Sequence, residues 1–311
     1  MKKRFLITTL GAGLLVALAS CGSDDYKLSV VAPQGAPAVS VSSLAVNDID
    51  SYSFINANNI AEQFTANEKD IIIAPVNAGA KLYKANKSTY KLGAVVTWGN
   101  LYFATTRTDI TSVEDLDGKD VKLFGETTIN SSLAKYVLAE KDIEPNYTYM
   151  SSASETATLL TTEANVIVMT AEPALTATTI SKLKPAGKNV VSFSISEMYT
   201  EISDIEFTQA ALFIKADTIE NHKGLVNEYL DKVKESCDLV TNDVEAVANN
   251  IITLGNTGLP SALPVLKNAL PKCNIKFKSA ADSKAAIEKT ANIDLKQFGG
   301  AVPSDDFYYN K

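Results

Sequence analysis

The side chains in this chain that could do chemistry are mostly amides, hydroxyls and carboxylates. Gln34, Asn77 and Asn100 carry amides that both donate and accept hydrogen bonds, and Thr127, Thr128 and Thr170 carry hydroxyls that do the same. Glu126 and Glu172 offer carboxylates. Trp98, the only tryptophan, and Phe54 offer rings that stack on flat or cationic molecules. Gly35 lets a backbone come close to a bound molecule, and Gly99 sits beside Trp98 and Asn100. His222 is the only histidine, so no Ser-His-Asp set can be drawn. Zinc-type Cys/His spacing and a phosphate-binding glycine loop are also missing from the sequence. The inventory therefore suits binding rather than turnover. It predicts no metal, no cofactor and no enzyme activity.

A second kind of chemistry lies at the N-terminus. Lys2, Lys3 and Arg4 precede an apolar stretch from Phe5 to Ala17, then Leu18-Ala19-Ser20-Cys21. That stretch has the length of a secretory h-region and is short for a membrane span. Small residues before a cysteine resemble the bacterial lipobox, where the thiol is acylated with palmitate or a similar chain and the leader is cut ahead of it. The resemblance implies a signal peptide over residues 1–20, a lipidated Cys21 and a short tether over 21–25. The protein would then sit on the extracytoplasmic face of the cell membrane. Cys237 and Cys273 remain. They form a possible disulfide in such a compartment. Cys237 also falls on the apolar stripe Leu225, Tyr229, Val233, Cys237, where a plain buried thiol fits equally well.

Without the leader's three basic residues, 26 positive side chains face 36 negative ones, and only Arg4 and Arg107 are arginines. A polyanion would meet repulsion, so nucleic acid is excluded as a partner.

These groups must be positioned by alternating strands and helices. Strands are expected at 28–32, 52–56, 70–77, 90–97, 101–105, 121–124, 165–169, 190–195 and 208–215. Asp70 to Asn77 is β-branched and too apolar for a one-sided strand, which argues for burial on both faces. Pro37 suits a helix's first turn. Helices are expected at 38–46, 60–64, 78–85, 131–140, 155–163, 172–183, 223–240, 260–270 and 283–290, with another opened by Asn242-x-x-Glu245 and stopped at Gly255. The pattern predicts an α/β protein with sheets covered on both faces. No internal repeat is visible.

Several stretches in this order are similar to a known group. They are Ala32-Pro33-Gln34-Gly35-Ala36-Pro37-Ala38, Asp70 to Asn77, Asp115-Leu116-x-Gly118-Lys119-x-Val121, Glu172-Pro173-Ala174 and Gly299-Gly300-x-x-Pro303. Together they resemble the substrate-binding lipoproteins of ABC importers, in the nitrate, sulfonate, taurine and thiamine-precursor group. The resemblance implies a two-lobed type II periplasmic-binding-protein-like fold, each lobe a mostly parallel sheet with flanking helices. Lobe 1 would combine 26–104 with 209–311, lobe 2 would be 105–208, and two crossings near 102–106 and 207–211 would form the hinge.

In such sheets ligands bind beyond the carboxyl ends of strands. The junctions Gln34-Gly35-Ala36-Pro37, Val76-Asn77, Glu126-Thr127-Thr128 and Thr170 to Glu172 would line the cleft, with Phe54, Trp98, Gly99 and Asn100 forming its wall. Either glutamate is also explained by a helix dipole alone; facing the cleft, it would favour a neutral or cationic ligand. The implied protein is a monomer that delivers a small organic molecule to separately encoded permease and ATPase subunits. The resemblance leaves two alternatives: a biosynthetic enzyme of the thiamine-pyrimidine or menaquinone kind, and a surface sensor or adhesion lipoprotein.

Overall fold

The computed structural model describes residues 26–311. The leader, Cys21 and the 21–25 tether lie outside them. Chain order runs β1 (Val30–Pro33), α1 (Ala36–Val39), α2 (Ser42–Ala45), β2 (Tyr52–Ile55), α3 (Ile60–Ala66), β3 (Ile71–Pro75), α4 (Val76–Lys84), β4 (Lys91–Thr97) and β5 (Leu101–Thr105). There follow β6 (Asp120–Phe124), α5 (Ile129–Ala139), β7 (Asn146–Met150), α6 (Ala153–Thr162), β8 (Ile167–Ala171), α7 (Ala174–Thr178), β9 (Val191–Ser194) and α8 (Ile195–Ser203). The chain returns through β10 (Ala210–Ile214), α9 (Ala216–Asn221), α10 (Lys223–Asn242), α11 (Val244–Leu254), α12 (Leu263–Ala269), β11 (Ile275–Ser279) and α13 (Ala280–Ile293).

Two sheets result, with orders β11-β4-β10-β3-β1-β2 and β7-β6-β8-β5-β9. In the first, β1 runs parallel to β2 and β3, whereas β10 is antiparallel to both β3 and β4. In the second, β6 runs parallel to β7 and β8, whereas β5 is antiparallel to β8 and β9. The strands thus run mostly one way, and the first strand laid down after each crossing runs against its neighbours.

The run from Ile71 to Ala74 is buried on both sides, as its composition requires. Ile71 and Ile73 pack with Leu212 and Ile214 in one core, while Ile72 and Ala74 pack with Phe213 in the other. Alternation of period two splits one strand between two cores.

Residues 101–105 belong to the second sheet. Leu101↔Ala171 through Thr105↔Ile167 pair along the whole of β5, and Tyr102↔Ser194 through Thr105↔Val191 pair on its other edge. The outgoing crossing is therefore Trp98-Gly99-Asn100, earlier than the sequence suggested. The return crossing ends at Gln209, because Ala210 already pairs with Pro75.

The possible disulfide is not formed: Cys237 and Cys273 are free, buried thiols. Cys237 Sγ lies 3.8 Å from the Ser40 carbonyl oxygen and Cys273 Sγ 3.4 Å from that of Ala269, and burial pushes both thiols far up in pKa. The apolar-stripe reading of Cys237 is the one the structure shows. Among the described residues no helix is long and apolar enough to cross a membrane.

Candidate functional site

A cavity of about 930 Å³ opens where the two sheets face each other. Its walls come from the loops beyond the strands' carboxyl ends, as a mostly one-way sheet dictates. From β1, the chain turns through Gln34 and Gly35. Gln34 N donates to Ile55 O at 2.8 Å, and Gly35 N donates to Thr257 O at 2.9 Å. Gly35 has φ +101°, a conformation that glycine alone adopts without strain. Beside it on the same wall is the 256–260 loop, held by Gln34 Nε2 donating to Asn256 O at 3.1 Å. From β3, the chain passes directly into α4, which presents Asn77 and Ala78 to the cavity.

The second sheet supplies the opposite wall. Thr128 caps α5 by accepting from Ser131 N at 3.4 Å and donating to Gly125 O at 2.8 Å. Ser152 caps α6, accepting from Glu155 N at 3.2 Å. Glu172, just ahead of α7, folds its carboxylate onto the helix: its two oxygens accept from Thr176 N at 3.0 Å and Thr176 Oγ1 at 2.8 Å. This glutamate is only 2% exposed. Burial raises its pKa, and the Thr176 hydrogen bonds and Lys272, 3.9 Å away, pull against that rise. Asn100, on the outgoing crossing, locks to the same residue: its Nδ2 donates to Glu172 O at 2.6 Å and its own carbonyl accepts from Glu172 N at 2.9 Å.

Of the residues expected from sequence, Gln34, Gly35, Ala36, Pro37, Asn77, Asn100, Thr127, Thr128 and Glu172 line this cavity together. Six do not. Phe54 and Val76 point into the cores, at 8% and 1% exposure, because each falls on the inward phase of its element. Thr170 lies within β8 and is fully buried, with its hydroxyl donating to Ala153 O at 2.8 Å. Glu126 is exposed at the turn, outside the lining. Trp98 is a core residue: its Nε1 donates to Lys276 O at 2.9 Å and Lys278 Nζ sits 4.4 Å over its ring. Trp98 and Gly99 border a separate recess of about 540 Å³ behind the crossing.

Sequence reasoning missed Asn130, the Ser151-Ser152-Ala153-Ser154 turn, Gln209, Gly258 to Pro260 and Gln297, all of which line the cavity. The Ser152-x-x-Glu155 capping pattern was a usable signal for that turn.

The family description "NMT1/THI5 like" matches residues 39–246, two thirds of the chain. The chain belongs to the NMT1/THI5-like family. No curated protein matches it. Solved structures share its fold. An ABC transporter protein from Parabacteroides distasonis is 18% identical, with 92% of this chain and 100% of that one covered and a TM-score of 0.77. The periplasmic aliphatic sulphonate binding protein SsuA from Escherichia coli is 15% identical, covering 91% and 92%, with a TM-score of 0.67. A putative nitrate transport protein from Thermoplasma volcanium is 9% identical, covering 88% and 95%, with a TM-score of 0.54. This NMT1/THI5-like chain thus has the periplasmic-binding fold that the sequence resemblance implied.

Chemically, the cavity of this NMT1/THI5-like protein can hold and orient a small polar molecule. Its lining carries one ionisable side chain, Glu172, amid amides and hydroxyls. Among the described residues no group of three metal-ligating side chains comes together.

Proposed function

We propose that this protein captures a small organic solute between its two lobes and delivers it to an ABC importer. The permease and ATPase would be separate chains, and a lipid on Cys21 would hold the protein, as a monomer, outside the cytoplasm. The observation that carries this reading is a cavity whose walls come from both sheets and from the crossing residue Asn100. A ligand there touches both lobes at once, so the closed arrangement gains contacts that an open one lacks. Two bonds already run between the lobes: Gln297 Nε2 donates to Thr127 O at 2.7 Å, and Ser132 Oγ donates to Asp294 Oδ2 at 2.8 Å. The volume of about 930 Å³ suits a molecule of vitamin or drug size.

The test is a thermal-shift screen of the full chain against vitamins, pyrimidines, amines, sulfonates and oxyanions. A true ligand at 100 times its Kd stabilises the protein by about 2.7 kcal/mol and raises Tm in a saturable way. Failure of every compound to shift Tm, with radius of gyration unchanged in solution scattering, would remove the reading. Palmitate labelling abolished by Cys21→Ala checks the anchor.

A further inference from the structure

The strands of the first sheet end at two opposite poles. One borders the cavity, through Gln34 after β1, Asn56 after β2 and Asn77 just after β3. At the other, Tyr52, Val30, Ile71, Ile214 and Lys91 stand side by side as paired strand ends. Because β1 and β3 are four and five residues long, roughly 10–15 Å of sheet separates the two poles.

The chain enters the described residues at the second pole. Tyr26 and Lys27 lie just ahead of β1, and Asp48 and Ile49 just ahead of β2. Lys27 Nζ, 3.5 Å from Asp48 Oδ1, ties these two segments together. Tyr26 is fastened in place: its hydroxyl donates to Asp70 Oδ1 at 2.6 Å, and its ring stacks on His222 with centroids 3.9 Å apart. Ile49 and Tyr26, at 47% and 40%, are the two most exposed large apolar side chains among the described residues. Scattered singly they would mean little, but they share the pole from which the chain runs back to Cys21. Tyr26 comes five positions after Cys21, a reach of about 18 Å at most. A lipid on Cys21 therefore brings this pole, rather than the cavity, to the headgroups.

Charge favours the same pose. Residues 26–104 with 209–311 hold 18 basic and 18 acidic side chains, whereas 105–208 hold 8 and 16. An anionic bilayer repels the second lobe and leaves the first indifferent.

Accepting the lipid anchor on Cys21 proposed above, we infer that the pole around Tyr26 and Ile49 is a lipid-contacting surface. The protein stands on it with the cavity held clear of the headgroups and the acidic lobe outermost. Burying the two exposed apolar side chains adds to the hold of the acyl chains.

The test uses the lipidated full chain on vesicles of phosphatidylethanolamine and phosphatidylglycerol with nitroxide-labelled headgroups. A fluorophore is placed in turn at Ile49→Cys and Asn47→Cys on this pole, Asn58→Cys beside the cavity and Glu144→Cys on the second lobe, all exposed positions. Cys237 and Cys273 are buried and stay unlabelled. Emission is expected to be lost at residues 49 and 47 and kept at 58 and 144. Adding Ile49→Glu to the Asn47→Cys protein should restore most of the emission. Equal quenching at all sites, strongest quenching at 58 or 144, or no recovery with Ile49→Glu overturns the lipid-contacting surface and leaves the anchor standing. Vesicles that float without the protein overturn the anchor, and this inference with it, while solute capture is untouched.

Discussion

The two lobes are built by one rule and finished differently. In each sheet the first strand after a crossing slots between the third and fourth strands of the parallel set, giving β2-β1-β3-β10-β4 and β7-β6-β8-β5-β9. No sequence repeat announces this correspondence. The first sheet then gains an extra edge strand, β11, and is thickly covered on both faces, with α10 and α11 supplying Val233, Val240, Val247 and Ile251 on one side. The second has a thinner outer face, where the buried residues Ala104, Leu160, Val166, Val168, Leu175 and Leu183 cluster with partly buried Tyr102, Leu159 and Val190. Its inner face shares one continuous core with the first lobe, running through Trp98, Leu101, Tyr199 and Phe207. The lesson is that topology sets where the cavity opens, while the depth of apolar cover sets how firmly each wall is held.

The largest contrast to break is in the cores. Leu212→Ala in β10 should cost about 3–5 kcal/mol and lower global stability, whereas Leu160→Ala in α6 should cost about 2–3 kcal/mol. The second loss should appear in hydrogen exchange as opening confined to the second lobe. Equal, global effects from the two would refute the contrast.

The crossing comes next. Gly99 has φ +87°, and a Cβ there would lie 2.3 Å from Ser196 Oγ. Gly99→Ala should cost about 2–3 kcal/mol, and Gly35→Ala, at φ +101° but in open space, about 1 kcal/mol. Urea denaturation of both variants gives the ranking, and a reversed order would show that the crossing yields freely.

Two buried carboxylates sharpen the comparison through pH. Burial would raise Asp70, but hydrogen bonds from Thr218, Tyr26 and Ser29 outweigh it and hold the carboxyl below the usual range. Its stabilisation is complete above the ordinary carboxylate pKa and is lost as pH falls through the lowered folded value. Glu172 works the other way. Burial raises it, so its contribution is complete below the ordinary value of 4.5 and is lost as pH rises through the raised one. Asp70→Asn should cost about 1.5–3 kcal/mol at neutral pH and flatten the acid limb. Glu172→Gln should flatten the limb above pH 4.5. Melting curves from pH 3 to 8 (roughly the span over which buried carboxylates titrate) would expose a wrong sign in either.

The smallest effects belong to surface ion pairs, one exposed in the first lobe and one half-buried in the second. Lys267–Glu245 at 2.5 Å and Lys122–Glu163 at 2.7 Å should each contribute at most about 1 kcal/mol. A double-mutant cycle exceeding that in either lobe would show charge supplying what apolar cover does not.

Much of this was legible in the residues. The run Ile71-Ile72-Ile73-Ala74 announced a doubly covered strand, and Gln34-Gly35-Ala36-Pro37 announced a turn into a helix. Both hold because strand phase and backbone chemistry are local properties. The misses share a cause in edge strands. Asn146 to Met150 and Ile275 to Ser279 are polar at alternate positions and pair on one side only, so they lack the apolar density that marks a central strand. Overlooking β7 hid the Ser151–Ser154 turn that follows it. Overlooking β11 left Trp98 without the strand that covers it, and an unexplained tryptophan looked like a ligand platform. Gln209 and Gln297 are single polar residues whose meaning depends on partners over a hundred positions away, which no local pattern carries.

The position of β10 bears on how the molecule is assembled. β3 and β4 do not pair with each other; the strand that joins them is made more than a hundred residues later. The second sheet is drawn wholly from one uninterrupted length, β5 through β9, and has all its pairing partners in hand once Ser194 has been synthesised. During translation the earlier-made apolar strands β3 and β4 therefore wait, each with an edge unmatched, while the later-made sheet already has every piece it needs.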